Sequence, residues 1–152
     1  MAHQMTWRVL GTLMLIALAA VWVGCPDKGP APLTSPSGRY QLHSFQEVDG
    51  RGDRWVRFRI TDATTGNEVF TCPERWLGGH RTDFHWDEQD RAWVLSSDVG
   101  VSVWAATPPG AWGRIPQAEA ERLMPPEPIR KYHDQFPALR GKWPATPAPA
   151  PR

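Results

Sequence analysis

A chain of 152 residues with a formal net charge of only +1 lacks the strongly basic domain or stripe that marks a nucleic-acid footprint. Its Pro-rich ends shrink the foldable part to roughly eighty residues, where a hydrophobic core is marginal. The nine tryptophans compensate, because each buried indole removes about 150–250 Å² from water. Charge is unevenly placed: between Ser37 and Pro125 thirteen Asp and Glu stand against ten Arg and no Lys. After Pro125 five cations outnumber Glu127 and Asp134, and that short basic tail reads as solvated.

In chain order, Met1 to Arg8 carries positive charge and no acid, and Val9 to Val23 is an uninterrupted apolar run of the length of a signal h-region. Extended to Pro26 it counts eighteen uncharged residues, at the lower limit of about 17–25 for a membrane span, so an uncleaved anchor stays open beside cleavage. The run ends in Trp22-Val23-Gly24-Cys25, which resembles the bacterial lipoprotein signal. Gly24 and Cys25 match that pattern, while Trp22 stands where an aliphatic residue is usual. The resemblance implies lipidation at Cys25, which would leave Cys72 as an unpaired thiol. A retained, unmodified Cys25 could instead pair with Cys72 in an oxidising compartment. Cys72 follows an apolar strand and reads as a buried, inert thiol.

Residues 1–25 are thus expected to be a targeting segment, 26–37 a Pro-rich linker, and 38–115 a β domain, since proline is nearly absent from Gly38 to Thr107 and cannot donate to a ladder. Tyr40–Val48 is the first strand, followed by a Gly-containing loop over Asp49–Asp53. In Trp55 to Thr61, Val56, Phe58 and Ile60 alternate with Trp55, Arg57 and Arg59, the period-2 signature of a sheet with one buried face. Phe58 falls on the core side and Arg57 on the tolerant one. Asp62–Asn67 closes a hairpin onto Glu68–Cys72. A second hairpin runs through Phe84-His85-Trp86, a solvated tip at Asp87–Asp90, and Ala92-Trp93-Val94-Leu95, which reads as a strand covered on both faces. Val101–Ala106 returns, and Trp112 adds a short last strand. The expected fold is mainly β, an antiparallel meander of five or six strands forming a sandwich or open barrel, with no repeat of 20–50 residues.

Residues 116–136 are expected to be helical, with one helix over Gln117–Met124 that starts at Pro116 and packs Leu123 and Met124 on the sheet, and a turn or two over Ile129–Phe136. Residues 137–152 form a Pro/Ala-rich tail that reads as disordered. The stretch from Phe84 to Asp98 resembles one blade edge of the propeller repeats of exported bacterial proteins. The chain is also similar to small uncharacterised exported bacterial proteins with a Trp-rich strand and a Ser-Asp-Val-Gly turn, a likeness that implies no activity.

No catalytic pattern stands out. His80, Asp83, His85 and Asp87 have donor types that suit Zn or Mn, but their spacing is poor for a common ion, so no metal or cofactor is expected. The acidic tip Asp87–Asp90 supplies too few oxygens for Ca²⁺. Ser96, Ser97 and Asp98 lack the Gly-x-Ser-x-Gly elbow of a hydrolase, and Arg51-Gly52-Asp53 resembles an integrin-binding tripeptide but reads as a Gly loop between charges. The leading expectation is a non-catalytic accessory or interaction module, exported and anchored in the cell envelope through an N-terminal lipid or uncleaved anchor, with an envelope protein or glycan as partner. The alternatives are a glycan-binding module using exposed Trp and a small metal-dependent or hydrolytic enzyme. A binding strip falls on Trp55, Arg57 and Arg59, where one indole and two guanidiniums stand side by side, unless these arginines or the Gln117–Met124 helix cover it.

Trp143–Arg152 offers no apolar periodicity to offset the about 1–2 kcal/mol of backbone entropy that each ordered residue costs. Its deletion is expected to leave the thermal midpoint unchanged, as compared by calorimetry of the two chains.

Overall fold

The computed structural model describes residues 30–107 and 110–139. The targeting segment with Cys25, the start of the linker and the tail from residue 140 lie outside the described residues. Among the described residues, nine strands form two antiparallel sheets. Sheet A holds β1 (Leu33–Thr34), β2 (Tyr40–Val48), β3 (Arg54–Asp62), β4 (Glu68–Thr71) and β5 (Trp76–Leu77), in the order β1-β2-β3-β4 with β5 also on β3. Sheet B is the meander β6 (Thr82–Trp86), β7 (Ala92–Ser96), β8 (Gly100–Thr107) and β9 (Ala111–Arg114). The mainly β antiparallel expectation holds, as two open sheets. The count is nine where five or six were expected: the short β9 at Trp112 is a full member of the sheet, and β1 and β5 are two-residue edge pairings too short to leave a periodic signal.

Alternation builds the core. Tyr40, Leu42, Phe58, Ile60 and Trp76 of sheet A meet Ala92, Val94 and Trp104 of sheet B, with Phe70, Phe84, Trp86 and Trp112 packed at the margin. Phe58 is the centre: its ring lies 5.9 Å from Phe70, 6.2 Å from Trp76, 5.6 Å from Phe84 and 6.1 Å from Trp104, all within aromatic pairing range. The opposite parity of sheet B (Trp93, Leu95, Val101, Val103) forms a second cluster with Ala120, Ile129 and Tyr132. β7 is therefore buried at every residue, as a strand covered on both faces must be. Trp104 Nε1, Ser102 Oγ and Thr82 Oγ1 are buried without a hydrogen-bond partner among the described residues, a cost the aromatic packing must offset.

The third layer differs from expectation. The helix starting after Pro116 lasts one turn, α1 (Gln117–Ala120), and then tightens into i→i−3 bonds from Arg122 to Glu119 and from Leu123 to Ala120, the usual way an uncapped end closes. Ala120 and not Met124 is the buried contact, and Met124 is 73% exposed; Leu123 is partly buried on the second cluster. The longer helix is α2 (Glu127–Gln135), with proline in its first turn and Ile129, Tyr132 and His133 buried, an i, i+3, i+4 stripe.

Both sheets are organised by the same hairpin. The Asp49 N–H donates to Asp53 O (3.0 Å) and the Gly52 N–H to Asp49 O (3.0 Å), with Gly52 at φ +86°. This is a three-residue loop closed by a left-handed residue. The Asp49 carboxylate accepts from the Arg51 and Asp53 N–H groups and from Trp55 Nε1 at 3.0 Å. In the β6–β7 hairpin every part recurs 38 residues later. The Asp87 N–H donates to Arg91 O and the Asp90 N–H to Asp87 O, Asp90 takes φ +56°, and Asp87 accepts from the Gln89 and Arg91 N–H groups and from Trp93 Nε1 at 2.7 Å. Arg91 Nε adds an ion pair at 2.6 Å. The loop's hydrogen bonds recur where the sequence keeps only Asp, Trp and the following Val, a shared turn between sheets of different topology. Asp87 is also no solvated tip residue, being 8% exposed.

The sheet begins inside the segment read as linker, because Leu33 pairs with Leu42 and Thr34 with Gln41. The Ser35 N–H donates to Tyr40 O (2.9 Å), so alternation turns the backbone nitrogen of Thr34 away from β2. Pro30 and Pro32 directly precede this strand. The following turn is pinned to sheet B, with the Ser37 N–H and hydroxyl both donating to Asp90 and Trp86 Nε1 donating to Leu33 O.

Asp87→Ala strands two backbone donors, a guanidinium and a buried indole N–H, and is expected to cost about 3–5 kcal/mol. Asp49→Ala, in a partly exposed turn where water can replace the lost acceptor and no ion pair is broken, is expected to cost distinctly less. Urea titrations of the two variants check the difference.

Candidate functional site

The four sheet faces are not treated alike. Two are pressed together in the aromatic core and the outer face of sheet B lies under α1 and α2. Among the described residues, no helix or strand packs on the outer face of sheet A. That face carries His43, Phe45 and Glu47 from β2 and Trp55, Arg57 and Arg59 from β3, in the pairs His43–Arg59, Phe45–Arg57 and Glu47–Trp55. β5 adds Leu77 beside Trp55, and β4 adds Thr71 beside Arg59.

The structure brings Trp55, Arg57 and Arg59 onto one face and gives each a different role. Arg57 is structural as well as charged: Nε and Nη2 donate to Cys72 O at 3.0 and 2.6 Å, and Nη1 pairs with Glu47 at 2.9 Å. Its guanidinium lies 5.8 Å from the Phe45 ring centre. Trp55 is fixed at its edge by Asp49, and the Arg75 guanidinium covers its ring at 4.1 Å, a cation–π stack. Arg59 is exposed and has no ion pair among the described residues. Beside it, burial and the charge of Arg59 hold His43 below its ordinary value, and its Nε2 lies 3.0 Å from Thr61 Oγ1. The Gln117–Met124 segment lies on sheet B instead, and the arginine over the indole is Arg75, not Arg57 or Arg59.

Arg75, His43 and Phe45 were missed by sequence reasoning. Arg75 falls in an irregular stretch with no periodicity, and His43 and Phe45 lie in a strand whose outer side was not weighed. A signal did exist for Asp49, which precedes Trp55 by six residues as Asp87 precedes Trp93.

The other constellations are occupied by structural work. Asp83 pairs with Arg81 at 2.5 Å, Asp87 serves its hairpin, and Ser96 Oγ donates to Asp98. Burial holds His85 below its ordinary value despite Asp83 nearby. Among the described residues no group of three or more His, Cys, Asp or Glu is arranged to hold a metal ion. Arg51-Gly52-Asp53 is the β2–β3 turn, with two of its N–H groups held by Asp49. Cys72 is a free thiol, fully buried in the aromatic core; burial pushes it up to about 12, so almost no thiolate exists at neutral pH. Among the described residues no helix is long and apolar enough to cross a membrane. Compared with known proteins, the chain matches no family model, no curated protein and no solved structure.

Arg57→Ala leaves a half-buried carbonyl and Glu47 without their donor, so it is expected to cost about 1–3 kcal/mol, unlike the tolerant position that alternation alone assigns. Arg59→Ala is expected to stay within about 0.5 kcal/mol of the parent. Denaturant midpoints of the two variants test the contrast.

Proposed function

We propose that the chain is a non-catalytic interaction module, exported and tethered to a membrane of the cell envelope through its N-terminal segment, with the outer face of sheet A as its working surface. The observation that carries this reading is the contrast between equivalent faces. Trp93 and Leu95 sit under a helical layer on sheet B, whereas Trp55, Arg57 and Arg59 at the corresponding positions of sheet A have no such cover among the described residues. Polar and aromatic groups fit for recognition thus occupy the face left without a third layer.

The burial of Cys72 supports lipidation at Cys25 over a bond between the two, since a disulfide would require Cys72 to leave a closed core. A glycan platform gains no support from the indoles: none of the six described tryptophans is fully exposed, and Arg75 lies on Trp55. Intact-mass analysis of the mature protein from isolated membranes tests the tether. The expected mass begins at Cys25 and includes acyl chains, or, for an uncleaved anchor, corresponds to the whole chain. Recovery of an unacylated, truncated protein in the soluble fraction overturns the reading.

A further inference from the structure

The tripeptide Arg51-Gly52-Asp53 sits at the end of the longest hairpin of the domain. β2 and β3 are nine residues each and pair along their whole length, from Tyr40 opposite Asp62 to Val48 opposite Arg54. On the side of sheet A that meets sheet B, Tyr40, Leu42, Phe58 and Ile60 are buried, whereas Gln46, Val48 and Arg54 of that same side are exposed, Val48 at 66%. The hairpin therefore runs past the core, and its turn forms the tip of an arm.

The backbone of the tip is fixed from within. Asp49 accepts from the Arg51 and Asp53 N–H groups and from the Trp55 indole, and the Asp49 N–H closes the loop onto Asp53 O at 3.0 Å. Gly52 takes φ +86°, and the space a Cβ would fill there is open, so a partner can approach the centre of the turn closely. The flanking side chains are unused. Among the described residues the carboxylates of Asp49, Asp62, Asp83, Asp87, Asp90 and Asp98 all accept hydrogen bonds. That of Asp53 accepts none and forms no ion pair, and Arg51 has no ion pair and no ring beneath it. Both are exposed. A fixed turn thus presents one cation and one anion on either side of a glycine, neither neutralised by a neighbour.

We propose that this turn is a recognition loop for a receptor of integrin type, with Asp53 and Arg51 as its two anchoring side chains. A divalent cation held by the receptor takes the Asp53 carboxylate, since Mg²⁺ and Mn²⁺ favour carboxylate oxygen. An acidic pocket of the receptor takes the Arg51 guanidinium in paired hydrogen bonds. Because Asp49 already holds the turn, binding orders less chain than it would in a free tripeptide. This recognition adds a class of partner and a second surface to the interaction-module reading, and it needs neither the membrane tether nor the outer face of sheet A.

The test passes the full chain, in mild detergent, over an immobilised integrin ectodomain of the class that binds Arg-Gly-Asp peptides, with binding read by surface plasmon resonance. Saturable binding is expected in Mn²⁺ buffer, lost in EDTA, and displaced by a free Arg-Gly-Asp peptide but not by an Arg-Gly-Glu peptide. Asp53→Glu keeps the charge and moves the carboxylate by one methylene. It is expected to weaken binding by at least about tenfold with the thermal midpoint of the parent, because the turn uses only the Asp53 backbone. Arg122→Ala, at an exposed residue of the helical side, is expected to keep the parent affinity. Absence of binding, binding that persists in EDTA, displacement by both peptides alike, or an equal loss in Arg122→Ala overturns the proposal. The peptide competition uses the parent protein alone, so it decides even if Asp53→Glu fails to fold. None of these outcomes bears on the mass measurement that tests the tether.

Discussion

The packing of the two sheets turns on one ring. Phe58 is fully buried and is in aromatic contact with Phe70 and Trp76 of its own sheet and with Phe84 and Trp104 of the other. In a domain this short there is not enough aliphatic mass to hold two sheets together by area alone. Large planar side chains meeting edge to face and in offset stacks provide both the area and the register. Because Phe58 is in the middle strand of sheet A, its parity sets that of β3, and the pairing of β2 with β3 carries it to Tyr40 and Leu42. The assignment of Trp55, Arg57 and Arg59 to the far side follows from the same choice, since a slip of one residue would exchange the two sets.

That part of the architecture was legible from side-chain type alone. The alternation from Trp55 to Thr61 placed Phe58 inward, and the unbroken apolar run from Ala92 to Leu95 marked the strand between two layers. What could not be read came from interactions that periodicity does not encode. Asp87 lies among polar neighbours and looks like a loop tip, yet it is buried because Trp93 and Arg91 fold back onto its carboxylate. The helix over Gln117–Met124 had suitable composition and a proline start, but no side chain caps it. Strands of two residues carry no period at all, which hid β1 and β5. For the site, the shared face of three residues followed from alternation, whereas Arg75 reached Trp55 only through tertiary folding.

The recurring hairpin explains how one small chain obtains two dissimilar sheets. Each contains an aspartate that organises its own turn and grips an indole six residues on, so loop and strand are coupled through contacts close in sequence. Gly52 meets the left-handed position with no steric penalty. Asp90 meets the same requirement as one of the few other residue types that tolerate it, and its carboxylate is then available to Ser37. The substitution thus links the start of the described chain to the second sheet. After the indole the two copies diverge, Arg57 and Phe58 in one and Leu95 and Ser96 in the other, and the divergence decides whether the following face recruits helices.

The prolines beside β1 affect how neighbouring molecules meet. A sheet ends in a row of backbone donors and acceptors, and an exposed row of that kind invites another chain to add a strand. Pro30 and Pro32, just before β1, carry no N–H in any orientation, so this stretch of chain offers no donor at either residue to an approaching strand. At this corner the rim therefore resists edge-to-edge pairing, while among the described residues the flat outer side of sheet A stays without a covering element.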